Sequence, residues 1–132
     1  MELKDGKVVI ESPITLSKLQ APYELSIRTR STWLAYSRIL DKIVTFFGPD
    51  KEPTDILRTD TDAFLEWIQK KYNPGPSFLR MHASVGSAWF GWMQWNDLVP
   101  LDFNPFRPFA RKENRYEYTG ERKRGTRWVK PV

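Results

Sequence analysis

Four cations, Arg28, Arg30, Arg38 and Lys42, lie just ahead of and along one helix-patterned segment, with Asp41 the only acid among them. That pattern suits contact with phosphates. Each phosphate neutralised releases condensed counterions, and an arginine can in addition read a guanine edge with its two-donor fork. Lys70, Lys71 and Arg80 bracket a later loop. Ser77, Ser84 and Ser87 stand at i, i+7 and i+10 of another helical segment, a small polar stripe that permits close approach to a backbone or to bases. The alternatives are an ordinary solvated face for the cations and a crossing helix for the serines.

Residues for bond-making chemistry are scarce. The chain has one histidine and no cysteine, which removes disulfides and thiolate metal sites and leaves His82 unable to assemble a usual zinc set. No carboxylate or cysteine stands at helical spacing to His82, so it reads as a surface or boundary histidine. No cofactor, metal or small-molecule substrate is expected.

Three helices must position the cations and the serine stripe. Thr29-Arg30-Ser31-Thr32 offers capping side chains ahead of Trp33, Tyr36, Leu40, Val44 and Phe47 at helical spacing, and Gly48-Pro49 ends the segment. A second helix is expected from Thr59-Asp60-Thr61-Asp62, burying Phe64, Trp67 and Ile68, with Lys70 and Lys71 in its last turn. Asn73-Pro74-Gly75-Pro76 breaks the chain before Ser77, the expected cap of a third and longest helix. Its apolar positions are Phe78, Met81, Val85, Trp89 and Trp92, with Phe90 and Met93 alongside. Such a helix should be central, with Trp89, Phe90, Trp92 and Trp95 read as core. Gly86 and Gly91 inside it each cost about 1 kcal/mol relative to alanine, which points to close backbone approach by a crossing helix or by a bound polymer, with packing the favoured reason.

The order of these elements resembles a known family. Thr32, Tyr36, Leu40 and Ile43, then Ile56 to Thr59, Phe64-Leu65, Ser84, Trp89-Phe90 and Trp92, and finally Asn104-Pro105-Phe106, look like the core-binding domain of tyrosine recombinases. That is the SAM-like N-terminal domain of phage integrases. The resemblance covers 29–106 and implies an all-α, compact bundle of about four helices that grips duplex DNA at a recombination site. In that family the corresponding first and third helices lie across or in the major groove, so Thr32 and Ser84 join the candidate contacts. The third helix departs from the family in carrying no lysine or arginine besides Arg80. The family's catalytic domain supplies a tyrosine nucleophile with arginines, a lysine and histidines. Only 26 residues follow Phe106 here, too few for a second fold. The expectation is a non-catalytic chain that binds double-stranded DNA, with a recombinase protomer or catalytic domain as a further partner.

Charge divides unevenly. Residues 1–106 carry 12 basic and 13 acidic side chains, whereas 107–132 carry 9 basic and 3 acidic, so the net +5 belongs to the tail. Arg111, Lys112 and the cations after them are interleaved with Tyr116, Tyr118 and Trp128. This suits an arm following a phosphate track, or a subordinate single-strand contact, or equally a solubilising tail. Tyr116 and Tyr118 receive no chemical role. Residues 1–28 read as a separate segment with a short strand near Lys7–Glu11 and a brief helix between Thr15 and Ala21, interrupted at Pro22. No apolar run approaches the roughly 20 residues of a membrane span, and the charged first dozen residues lack the apolar stretch of a secretory signal. A cytoplasmic setting and no membrane partner are expected. The competing class is a helical module that docks a partner protein.

Overall fold

The computed structural model describes residues 3–110, an all-α bundle with a small hairpin at its start. Five helices follow one another: α1 (Leu16–Leu25), α2 (Arg30–Phe47), α3 (Arg58–Tyr72), α4 (Pro76–Trp95) and the short α5 (Arg107–Ala110). A single 3-10 turn, Pro53–Asp55, precedes α3.

Local chemistry explains most boundaries. The Thr29 hydroxyl oxygen accepts the Thr32 backbone N–H and its own proton goes to Thr32 Oγ1 at 2.7 Å, so both threonines are spent on the α2 cap. Gly48 ends α2 at φ 100°, a backbone conformation that side-chain-bearing residues rarely adopt. α3 starts earlier than expected, with Leu57 at the cap. Neither threonine caps it; instead the Asp60 carboxylate reaches back to the Leu57 backbone N–H at 2.9 Å, which also places its charge at the positive helix end. Asn73 closes α3 in the left-handed conformation, ahead of Pro74. Ser77 is not the cap of α4. Gly75 holds that position and Pro76 is the first helical residue, where its fixed φ is already helical and its missing N–H costs nothing.

The N-terminal segment is more structured than its sequence suggests. Leu3–Lys4 and Lys7–Val8 pair antiparallel around Asp5-Gly6, both at positive φ, as a two-residue hairpin turn requires. The hairpin docks on the end of α4: the Val8 N–H donates to Asn96 Oδ1 at 2.8 Å, and Lys7 pairs with Asp97 at 2.7 Å. Helix α1 runs through Pro22 to Leu25. Burial outweighs the lost hydrogen bond there, because Tyr23 beyond the proline stacks on Trp89 and packs against Trp92, with ring centroids 6.3 and 5.5 Å away.

Helix α4 is the hub and packs against α2, α3 and α5. Its buried residues include Leu79, Ala83, Val85, Trp89, Phe90 and Met93, joined in one core by Leu16 and Leu19 of α1, Ile39, Leu40 and Ile43 of α2, and Phe64, Leu65 and Ile68 of α3. The Trp89 indole N–H donates to the Leu19 carbonyl at 3.3 Å, tying α1 to the hub. Trp67 is only half-buried and Trp95 is 74% exposed, so neither is the core residue expected. Trp95 lies one to two turns beyond Trp92 and Trp89 around the helix, on the outward face shared by Ser77, Ser84 and Ala88.

Asn104-Pro105-Phe106 closes the bundle. Asn104 Nδ2 donates to the Ser87 carbonyl at 3.0 Å while its Oδ1 accepts the Phe106 and Arg107 backbone N–H groups, so one side chain joins α4 to the start of α5. Pro105 and Phe106 are buried, and Phe106 meets Phe64 and Phe90 at 6.1 and 5.6 Å. The ring lies where a side chain on Gly86 would have to be. The two helical glycines therefore differ. A Cβ at Gly91 meets nothing among the described residues. Gly86→Ala should lower unfolding free energy by about 1–3 kcal/mol through overpacking. Gly91→Ala should raise it by about 0.5–1 kcal/mol through helix propensity. Urea denaturation of both variants checks this, and equal effects would contradict it.

Candidate nucleic-acid interface

The cations expected to act together form two groups along α2. Arg28 and Arg30 line a recess of about 260 Å³ with Ile27, Thr29 and Trp33, at the start of the helix. Arg38 and Lys42, one turn apart, line a cleft of about 160 Å³ between α2 and α4, together with Ala35, Ile39, Phe78 and Met81. Arg28, Arg30 and Arg38 are exposed, and no ion pair engages them among the described residues. Asp41, the acid between them in sequence, is turned toward α1, where its carboxylate accepts the Gln20 amide at 2.6 Å. That leaves the Arg38 guanidinium without a competing carboxylate from its own helix.

Lys42 is not a free phosphate contact. It is half-buried, its ammonium lies 4.5 Å from the Tyr72 ring centre and 5.3 Å from that of Phe78, and it reaches His82 Nε2 at 3.2 Å. Burial first, and the neighbouring Arg38 charge second, push its pKa below the ordinary lysine value. His82 in turn is fully buried, not the boundary residue its sequence context suggests. Its Nδ1 faces the Phe78 carbonyl at 2.8 Å, and a carbonyl only accepts, so Nδ1 carries the proton and Nε2 accepts from Lys42. Burial lowers the His82 pKa, the Phe78 hydrogen bond opposes that, and the Lys42 charge lowers it further. The sequence gives one hint of this pairing, since His82 falls at helical spacing between Leu79 and Val85, on the buried side of α4.

The remaining candidates sit around this centre. Lys71 is exposed and lies 4.9 Å over the Trp67 ring and 5.6 Å from that of Tyr72, so Tyr72 has Lys42 and Lys71 both near its ring. Lys70 is exposed on the same last turn of α3. Ser77 and Ser84 are exposed on the outer face of α4 with Arg80 half-buried beside them, and Met81 joins that face to the cleft. Ser87 is drawn inward by Asn104 and leaves the stripe. Thr32 is exposed at the α2 cap. Arg111 and Lys112, with the rest of the tail, lie outside the described residues. Among the described residues no group of three histidines, cysteines or carboxylates could hold a metal ion, and no helix is long and apolar enough to cross a membrane.

Periodicity places Phe78, too, in the core of α4, but it lies in the first turn, at the rim of the cleft, 45% exposed and edge-on to His82 at 4.9 Å. Leu79 takes the buried position instead. Comparison with known protein families, curated proteins and solved structures gives no match to this chain.

Protonating His82 would put two cationic donors 3.2 Å apart in a buried site. Its folded pKa is below the unfolded value of about 6.5, so the unfolded chain binds more protons as pH falls through that value. Stability should therefore be full above about pH 6.5 and decline below it. Replacing the ring by a neutral amide in His82→Gln should flatten that decline, even though the variant is less stable at pH 7.5. Urea denaturation at pH 7.5 and 5.5 measures both, and an unchanged slope in the variant would contradict the assignment.

Proposed function

We propose that this chain is a duplex-DNA-binding domain of the kind found in tyrosine recombinases, gripping a recombination site along α2 and the outer face of α4. The observation that carries the reading is the row of exposed guanidiniums, Arg28, Arg30 and Arg38, free of ion pairs among the described residues. They run from the start of α2 to the α2–α4 cleft. Beyond the cleft, Ser77 and Ser84 on α4 present small polar side chains that a sugar-phosphate backbone can approach closely. Lys70 and Lys71 precede the α3–α4 connection and Arg80 follows it. These residues bind and position, and no bond-making step is assigned to them.

The near-neutral charge of 1–106 makes the grip depend on this local row instead of a general field. Affinity should then fall steeply with salt. Four engaged phosphates predict about a hundredfold loss between 50 and 200 mM salt. Arg30→Ala and Arg38→Ala should each weaken binding and reduce the salt slope by about one. Lys51→Ala, past the opposite end of α2, should do neither. Fluorescence anisotropy with a duplex carrying an inverted repeat measures all three, and equal affinity of the variants would rule out this face.

A second reading, a helical module that docks a partner protein, draws on Trp95 and Leu101, 74% and 79% exposed near the C-terminal end of α4. Under that reading the arginine variants are silent and Trp95→Ala is the damaging change.

A further inference from the structure

We propose that the cleft between α2 and α4 holds one unpaired nucleotide, its base against Phe78 and Met81 and its phosphate on Arg38. This inference rests on the nucleic-acid reading of the same side of the molecule and names a second kind of strand for it.

Size is the first argument. At about 160 Å³ the cleft is well below the roughly 300–1,000 Å³ of sites for drug-sized ligands, and it matches a single planar group. Its lining is the second. Ala35, Ile39, Phe78 and Met81 make an apolar floor and wall, while Arg38 and Lys42 are the two polar residues, both cations. An apolar slot with a cationic rim fits a flat group that carries an anion, and a nucleotide is one. Exposed aromatic surface is the third. Phe78, which lines the cleft, is 45% exposed with the Lys42 ammonium 5.3 Å from its ring centre, so aromatic surface and positive charge meet at the same rim. Proteins that take single strands combine these two elements, a stacking ring and a backbone cation.

His82 makes the arrangement rigid. It fixes the Lys42 ammonium from beneath through Nε2 and is itself locked to the Phe78 carbonyl through Nδ1, so the charge and the first turn of α4 are set by one buried ring. Arg38, exposed and lining the cleft, remains available to the phosphate.

The test uses the full chain and three fluorescein-labelled DNAs of one sequence: a flush duplex, the same duplex with one bulged thymidine, and the single strand. The expected result is about tenfold tighter binding of the bulged than of the flush duplex, from stacking of one base. Phe78→Ala should remove that preference and leave flush-duplex affinity within about twofold, Phe78→Trp should restore it, and Arg38→Gln should weaken all three DNAs. Thermal melts of each variant confirm folding, with Phe78 outside the buried core. A preference that survives Phe78→Ala, or no preference in the unaltered chain, overturns the proposal while leaving the duplex reading intact. Binding of the single strand with no binding of flush duplex would sink the duplex reading and keep this one. Binding of an acidic aromatic peptide in place of every DNA would overturn both.

Discussion

Helix α4 can serve as a hub only because one of its residues has no side chain. Phe106 lies against Gly86, and from there its ring reaches Phe64 of α3 and Phe90 of α4. Asn104 holds the approach by bonding Ser87 on one side and capping α5 on the other. With that closure in place the inner side of α4 is filled from residues late in the chain. Its outer side, from Ser77 to Trp95, is left to solvent. The candidate interface exists because the core was satisfied elsewhere.

The same division governs α2. Its inner residues, Ile39, Leu40 and Ile43, are buried, and Asp41 is held toward α1 by Gln20. The positive groups facing α4 therefore have no acid of their own helix against them. Lys42 is the exception among them, since aromatic rings and His82 satisfy its charge within the fold. A cation bound this way costs less to bury than an unpaired one, but it is also less free to meet a ligand.

Parts of this were legible in the sequence for physical reasons. Thr29 and Gly48 bracket α2 because a hydroxyl cap and a positive-φ stop have few substitutes, and three strongly periodic segments made the helices of the body legible. The starts of α3 and α4 slipped by a residue or two. Several residues there could cap, and the choice fell to Asp60 acting through space and to Pro76. The persistence of α1 through Pro22 was not readable, because the stabilisation comes from Tyr23 meeting Trp89 and Trp92, about 70 residues away. Among the candidate site residues, the exposure of Arg38 followed from helical periodicity and that of Arg28 and Arg30 from their place at the entry of α2. The exposure of Phe78 did not, since it depends on where α4 begins, and the burial of His82 was hinted at only by its spacing to Leu79 and Val85.

The central proposal is spatial: that nucleic acid meets the α2 side of the bundle and the outer face of α4. Amide chemical-shift mapping by ¹H–¹⁵N NMR during titration with duplex DNA tests it most directly. The account predicts shifts concentrated at residues 28–42 and 77–84, while the hairpin at 3–8 and the first turns of α1 and α3 stay still. Shifts confined to those latter segments, or none at all at saturating duplex, would contradict it.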